Sequence, residues 1–185
     1  MSAEATQWQD GPLEEGNSDK TGAGERQRMM AQARQRAAAL GDLTVLAMQH
    51  PSFRNYAIAD LDWLIGPAII TGNFLVANAE REDNPPVPIA AITWARVSEE
   101  VDLRLMENLA RPFRLSPEEY VSGDIHWIAH TFGPPQAVEA LIRAAMQEAG
   151  ETDGGKEIPA GPLAGKKLKQ RARDESGRVM VVTVG

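Results

Sequence analysis

The sequence predicts an α+β fold, a twisted and mostly antiparallel sheet flanked by helices. Three observations carry this. Two β-type runs, residues 73–79 and 88–97, are separated by the charged, proline-rich stretch EREDNPP; a third run covers residues 125–132; and segments with apolar residues at helical spacing lie on both sides of them. With 185 residues, 43% of them apolar and 24% charged, the chain can bury a core of one ordinary domain.

The elements follow in order. Residues 1–25 hold six acids, one lysine and four glycines with no apolar period, which predicts a disordered acidic tail; residues 26–185 are expected to form a single domain with a core over 40–150. From Gly24, GERQRMMAQARQRAAAL is rich in strong helix formers and carries Arg26, Arg28, Arg34 and Arg36, predicting a basic helix that ends near Gly41. Asp42 can cap a second short helix, LTVLAMQ, with Leu43, Leu46 and Ala47 on one face until Pro51 stops it. A further helix after Asp60 turns Leu61, Leu64, Ile65, Ala68 and Ile69 inward, and Gly66-Pro67 predicts a kink in it. The two β-runs then make a hairpin with EREDNPP as its loop, a stretch unsuited to helix or sheet. Ser98 caps an acid-led helix through Glu107, and Ser122-Gly123-Asp124 is a tight turn ahead of the third strand. Pro134 and Pro135 open an amphipathic helix bearing Val138, Leu141, Ile142 and Ala145. After a glycine-rich connection, residues 166–184 suit a basic hairpin turning near Glu175–Gly177, its Lys166, Lys167, Lys169, Arg171 and Arg173 serving either as an edge-protecting strip or as a dock for an acidic partner.

Composition sets bounds on function. A net charge of −7 argues against general nucleic-acid affinity, and the absence of cysteine removes disulfides, thiolate nucleophiles and Cys-based zinc sites. The N-terminus lacks signal-peptide character, and the longest apolar run, residues 63–70, is too short to span a bilayer, so a cytoplasmic protein without a stable membrane anchor is expected. His126 and His130 form HxxxH. On a strand such residues share a face about 13 Å apart, too far to share an ion, so no metal is expected. Trp63, Trp94 and Trp127 sit in apolar periodic segments and read as core anchors.

Several blocks resemble one family. His50-Pro51-Ser52-Phe53-Arg54-Asn55-Tyr56, then Gly66-Pro67-Ala68-Ile69, then Pro88-Ile89-Ala90 with Trp94-Ala95 and Ser98-Glu99-Glu100, and finally Tyr120-Val121-Ser122-Gly123-Asp124-Ile125-His126-Trp127 occur in the order of the RTX toxin-activating (haemolysin-activating) lysine acyltransferases. The resemblance covers residues 40–150 and, less closely, the basic hairpin. It implies a Gcn5-related acetyltransferase-like fold and a reaction that moves a fatty acyl group from acyl carrier protein to internal lysines of an RTX-type protoxin, with no bound cofactor; a homodimer fits the same family. It also places the family's catalytic histidine position at Phe53 and its catalytic aspartate position at His130.

A lysine amine of pKa about 10.4 needs help to attack a thioester as the free base, and the developing oxyanion needs donors. Phenylalanine supplies neither. Two histidines can: His50, three residues before Phe53 across a proline-bent turn, and His130 itself, with Asp124 or Asp60 as an orienting carboxylate. Arg54 and Asn55 are neighbouring candidates. The alternative is a catalytically silent relative that binds acyl carrier protein or toxin as an escort or regulator. An amine acetyltransferase using acetyl-CoA would need a pyrophosphate-cradling glycine loop, and the sequence shows no convincing one.

Overall fold

The protein is represented by a computed structural model that describes residues 18–81, 84–151 and 157–185. The acidic tail expected over residues 1–25 lies outside these up to residue 17; from Ser18 the chain is helical. One helix, α1, runs over Ser18–Gln49, where the sequence suggested two. Gly41 and Asp42 pass within it. A mid-helix glycine costs only about 1 kcal/mol, and Ala39, Leu43, Leu46 and Ala47 are all buried on one side of its C-terminal half, so packing outweighs the local break signal. Residues up to Gln35 and residues from Arg36 onward form separate units; in the first, the described side chains from Glu25 on are exposed. Among the described residues no helix is long and apolar enough to cross a membrane.

The second unit continues with α2 (Leu61–Leu64) and α3 (Gly66–Thr71), divided at Gly66-Pro67 where the kink was expected. Strands β1 (Phe74–Arg81) and β2 (Asn84–Val97) pair antiparallel out to Arg81 opposite Asn84. Pairing therefore extends into the stretch predicted to be a loop, and Pro85, Pro86 and Pro88 stand in β2. They are tolerated because the ladder is irregular between Ala77 and Asn78 and between Ala79 and Arg81, and because β2's other side is paired only from Ala91 onward. Helix α4 (Glu99–Glu107) starts as read, with Ser98 Oγ accepting from the Val101 amide at 3.4 Å and Glu99, Glu100 and Asp102 in the first turn. The turn before β3 (Ile125–Phe132) packs on this cap: the Ser98 amide donates to Ser122 Oγ at 2.9 Å, and a Cβ at Gly123 would come within 2.5 Å of the Val97 carbonyl. Only glycine fits there.

Helix α5 (Pro135–Met146) follows, then a small ribbon of β4 (Gly150–Glu151) and β5 (Glu157–Ile158), and the C-terminal hairpin of β6 (Leu168–Arg173) and β7 (Val179–Val184). The main sheet has the order β1-β2-β3-β6-β7 and is antiparallel except for the β3–β6 junction. That α+β architecture agrees with the expectation; the parallel insertion of the hairpin beside β3 was not readable, because nothing local encodes it. Ile92, Trp94 and Ile128 on one face pack with Leu163, Leu168, Leu141 and Ile142. On the other, Ala95, Val97 and Trp127 meet Val101 and Leu105 of α4 and Phe113, while Ala91 and Phe132 meet Leu43 and Leu46 of α1 and Leu64 and Ile65.

The β3–β6 junction is short, with His126 opposite Leu168 and Trp127 opposite Lys169. A buried polar knot reinforces it. Lys169 Nζ donates to both oxygens of Asp102 at 2.7 Å, and Trp127 Nε1 donates to Oδ1 at 2.8 Å. Asp102→Ala strands a partly buried ammonium and an indole N–H; the expected loss is about 3 kcal/mol, read as a lower urea midpoint with unchanged slope. A loss below about 1 kcal/mol would mean that the knot does not hold the hairpin.

Candidate active site

The chain leaves α1 at Gln49 and makes successive turns, with the amides of Phe53 and Arg54 donating to the His50 carbonyl at 3.0 Å and the amide of Tyr56 to the Phe53 carbonyl at 2.9 Å. Spacing by three stacks His50, Phe53 and Tyr56 along one side. Ring centroids are 4.8 Å apart for His50 and Phe53 and 5.9 Å for Phe53 and Tyr56. Phe53 also meets His130 edge-on at 5.6 Å and Phe132 at 5.2 Å. Both candidate histidines thus flank Phe53.

His130 reaches this face through a β-bulge. Thr93 pairs with His130 but Trp94 pairs with Ile128, so Ala129 is an extra residue in β3. The insertion turns His130 and Phe132 to the same side as Trp127, and Phe113 accordingly contacts both Trp127, at 6.1 Å, and His130, at 5.9 Å. Thr93 Oγ1 accepts the His130 amide at 3.1 Å, satisfying the group that the bulge takes out of the ladder. It follows that His126 and His130 do not share a face, as an unbroken strand would require. His126 instead hydrogen-bonds the Asp124 backbone beside Lys166 and Arg96.

His130 is buried, and its pKa is pushed down to about 4, chiefly by desolvation and secondly by the Arg171 charge; a hydrogen bond to the Phe113 backbone acts in the opposite direction. Nε2 has no hydrogen-bond partner. Nε2 being the nitrogen without a partner among the described residues, the contact with the Phe113 backbone falls to Nδ1, and Nε2 is a lone-pair nitrogen closed off from solvent. His50 has the reverse polarity. Its Nδ1 accepts from the Ser52 amide at 3.2 Å, which leaves Nε2–H as a donor, and partial burial lowers its pKa also. A cavity of about 260 Å³ lined by Leu46, His50, Pro51, Ile89, Gly133 and Pro134 gives access to that imidazole. One neutral acceptor and one neutral donor therefore stand on two sides of Phe53.

The carboxylates are elsewhere. Asp124 precedes β3 and lies six residues from His130 along extended chain, roughly 20 Å away, beside His126. Asp60 accepts from Trp63 Nε1 and the Ala57 amide, both at 2.9 Å, and stands 3.7 Å from Arg114; Trp63, which lies 6.5 Å from His130, separates the two. Neither is brought to His130 as an orienting partner. Arg54 and Asn55 are exposed. Sequence reasoning missed Phe113 and Arg171, the groups that orient and discharge His130. Arg171 was visible only as one of five cations in the hairpin.

Comparison with known proteins adds to this geometry. The family model HlyC, RTX toxin acyltransferase family, matches residues 32–180. The chain is also similar to the leukotoxin-activating lysine-acyltransferase LktC of Pasteurella haemolytica-like sp. (strain 5943B), with 32% identity over 104 residues, covering 56% of this chain and 58% of that protein. The match thus spans little more than half the length of this relative.

Because the folded pKa of His130 lies below the ordinary 6.5, the unfolded state binds the extra proton between pH 6.5 and 4. Stability contributed by the neutral ring is complete above pH 6.5 and is lost as pH falls to 4, by about 3 kcal/mol in total. Urea titrations from pH 7 to 4 should show this fall, and His130→Phe should remove that share of it. Parallel curves for the two proteins would contradict the neutral, desolvated assignment.

Proposed function

The chain belongs to the RTX toxin acyltransferase family, and from that premise we propose that it transfers a fatty acyl group from acyl carrier protein to internal lysines of an RTX-type protoxin. The observation that carries this reading at the level of chemistry is the pair of oppositely polarised neutral histidines around Phe53.

The lysine amine attacks the thioester carbon, forming the C–N bond, and its nitrogen becomes positively charged and acidic. His130 Nε2 takes that proton. His50 Nε2–H donates to the oxyanion of the tetrahedral intermediate. Collapse breaks the C–S bond, and the departing thiolate recovers the proton from the His130 imidazolium, leaving amide, thiol and neutral enzyme. Burial keeps the His130 ring unprotonated in the free enzyme, but a ring that titrates near 4 is a weak base, so the transfer requires that the bound substrate raise its pKa toward the operating pH. Phe53, whose ring stands between the two imidazoles, offers an apolar wall that excludes water from the thioester.

Intact-mass spectrometry of the RTX-type substrate after incubation with acyl-acyl carrier protein should show fatty-acyl increments on lysine. His130→Gln should lower kcat about 100-fold or more, and His50→Ala by about 100-fold. In the native enzyme, kcat/KM should show no inflection from His130 near pH 6.5, since that ring titrates near 4, and burial lowers the pKa of His50 as well. An unmodified substrate in the presence of folded enzyme would defeat the reading, and full activity in His130→Gln would remove His130 as the base.

A further inference from the structure

Beside the aromatic turn lies a second cavity, of about 320 Å³, lined by Tyr56, Pro112, Val179 and three arginines, Arg111, Arg171 and Arg173, with no acidic residue in its wall. In a chain of net charge −7 this is a local surplus of cations without counter-ions among the described residues. Arg171 is the most constrained of them. Its guanidinium donates to the carbonyls of Arg111 at 2.6 Å and Leu105 at 3.4 Å, its Nε is buried without a partner, and burial lowers its pKa. Among the described residues Arg173 bonds the Gly177 carbonyl alone, at 2.9 Å, and Arg111 is exposed. A half-buried guanidinium satisfied by neutral carbonyls keeps its full charge in a place where that charge is costly, and an oxyanion with bidentate geometry is its natural complement.

Its position selects the source of that oxyanion. Arg171 Cζ stands 5.3 Å from the Phe113 ring centre, and that ring is 5.9 Å from His130. The cavity is therefore about one aromatic ring away from the proposed proton acceptor. A donor's phosphopantetheine arm, equal to about four residues of backbone or roughly 13–14 Å when extended, would also reach across this span, so distance alone does not separate donor from acceptor. A carboxylate flanking the acceptor lysine enters from the side of the attacking nitrogen, and the cavity adjoins His130, which takes that nitrogen's proton, and not His50, which faces the thioester oxygen. Resting on the acyltransferase reading above, we propose that the Arg111–Arg171–Arg173 cavity receives an acidic side chain adjacent to the acceptor lysine and so selects which lysines are modified. Tyr56, with its ring against Phe53, connects the two sites.

The test uses the full chain without acyl donor, so its outcome does not depend on turnover. Two synthetic peptides, one with lysine flanked by glutamates and one by glutamines, are titrated calorimetrically at low salt. The glutamate peptide should bind at least about tenfold more tightly. Arg111→Gln, which alters an exposed side chain, should erase most of that preference, and Arg173→Gln should reduce it. Equal binding of the two peptides, or a preference that survives both substitutions, overturns the proposal. So does Arg111-dependent binding of free phosphopantetheine with no preference between peptides, which would give the cavity to the donor. Failure of the acyltransferase reading would appear separately, as an unmodified substrate in the mass-spectrometric assay.

Discussion

The carboxylate of Asp102 is the point on which the C-terminal third of the protein depends. It is buried at the start of α4 and is shared by an indole N–H from β3 and an ammonium from β6. Two residue pairs are a small ladder for holding a hairpin in a sheet, and the charged knot adds direction to what hydrogen bonding between strands leaves weak. It also fixes register. Lys169 and Arg171 alternate onto the same face of β6, so seating Lys169 on Asp102 delivers Arg171 to Phe113 and, through it, to His130. A one-residue slip would turn both cations away.

This arrangement explains how the site accommodates a histidine at position 130. An aspartate there would face the charge of Arg171; the neutral imidazole does not compensate it, and Arg171 turns to backbone carbonyls instead. Desolvation and this cation both oppose protonation of His130. The consequence is an imidazole held as a free base by its surroundings, without an orienting carboxylate, its tautomer set by the Phe113 backbone. The opposite polarities of the two rings come from two backbone groups, that of Phe113 at His130 and the Ser52 amide at His50.

Much of the fold could be read from sequence because its signals were local. Ser98 capped α4, Gly66-Pro67 divided α2 from α3, and the β3 and C-terminal hairpin patterns were each strong within a short window. The errors arose where tertiary packing overrode such signals. Gly41 failed to end α1 because the buried stripe of Leu43, Leu46 and Ala47 continues the helix's core face, and the prolines of β2 were accepted where its second side has no partner. At the candidate site, the meeting of His50, Phe53 and His130 followed from the motif resemblance. The roles of Asp124 and Asp60 as partners did not, since strand length separates the first and Trp63 the second from His130.

The bulge at Ala129 is the least legible feature and the one with the largest chemical consequence. Period-two alternation would put His130 with His126 and Ile128, toward α5 and away from Phe53. One inserted residue reverses this for everything after it, so that His130 and Phe132 join Trp127 on the face opposite α5, while Thr93 supplies the displaced amide with an acceptor. A composition or spacing argument cannot detect the insertion, because Ala129 is unremarkable in sequence and its effect exists only relative to β2. The same step isolates His126 among Arg96 and Lys166 on the opposite face, which separates two histidines that the sequence sets four residues apart. Local strand irregularity, more than residue identity, thus decides which histidine of β3 stands beside Phe53.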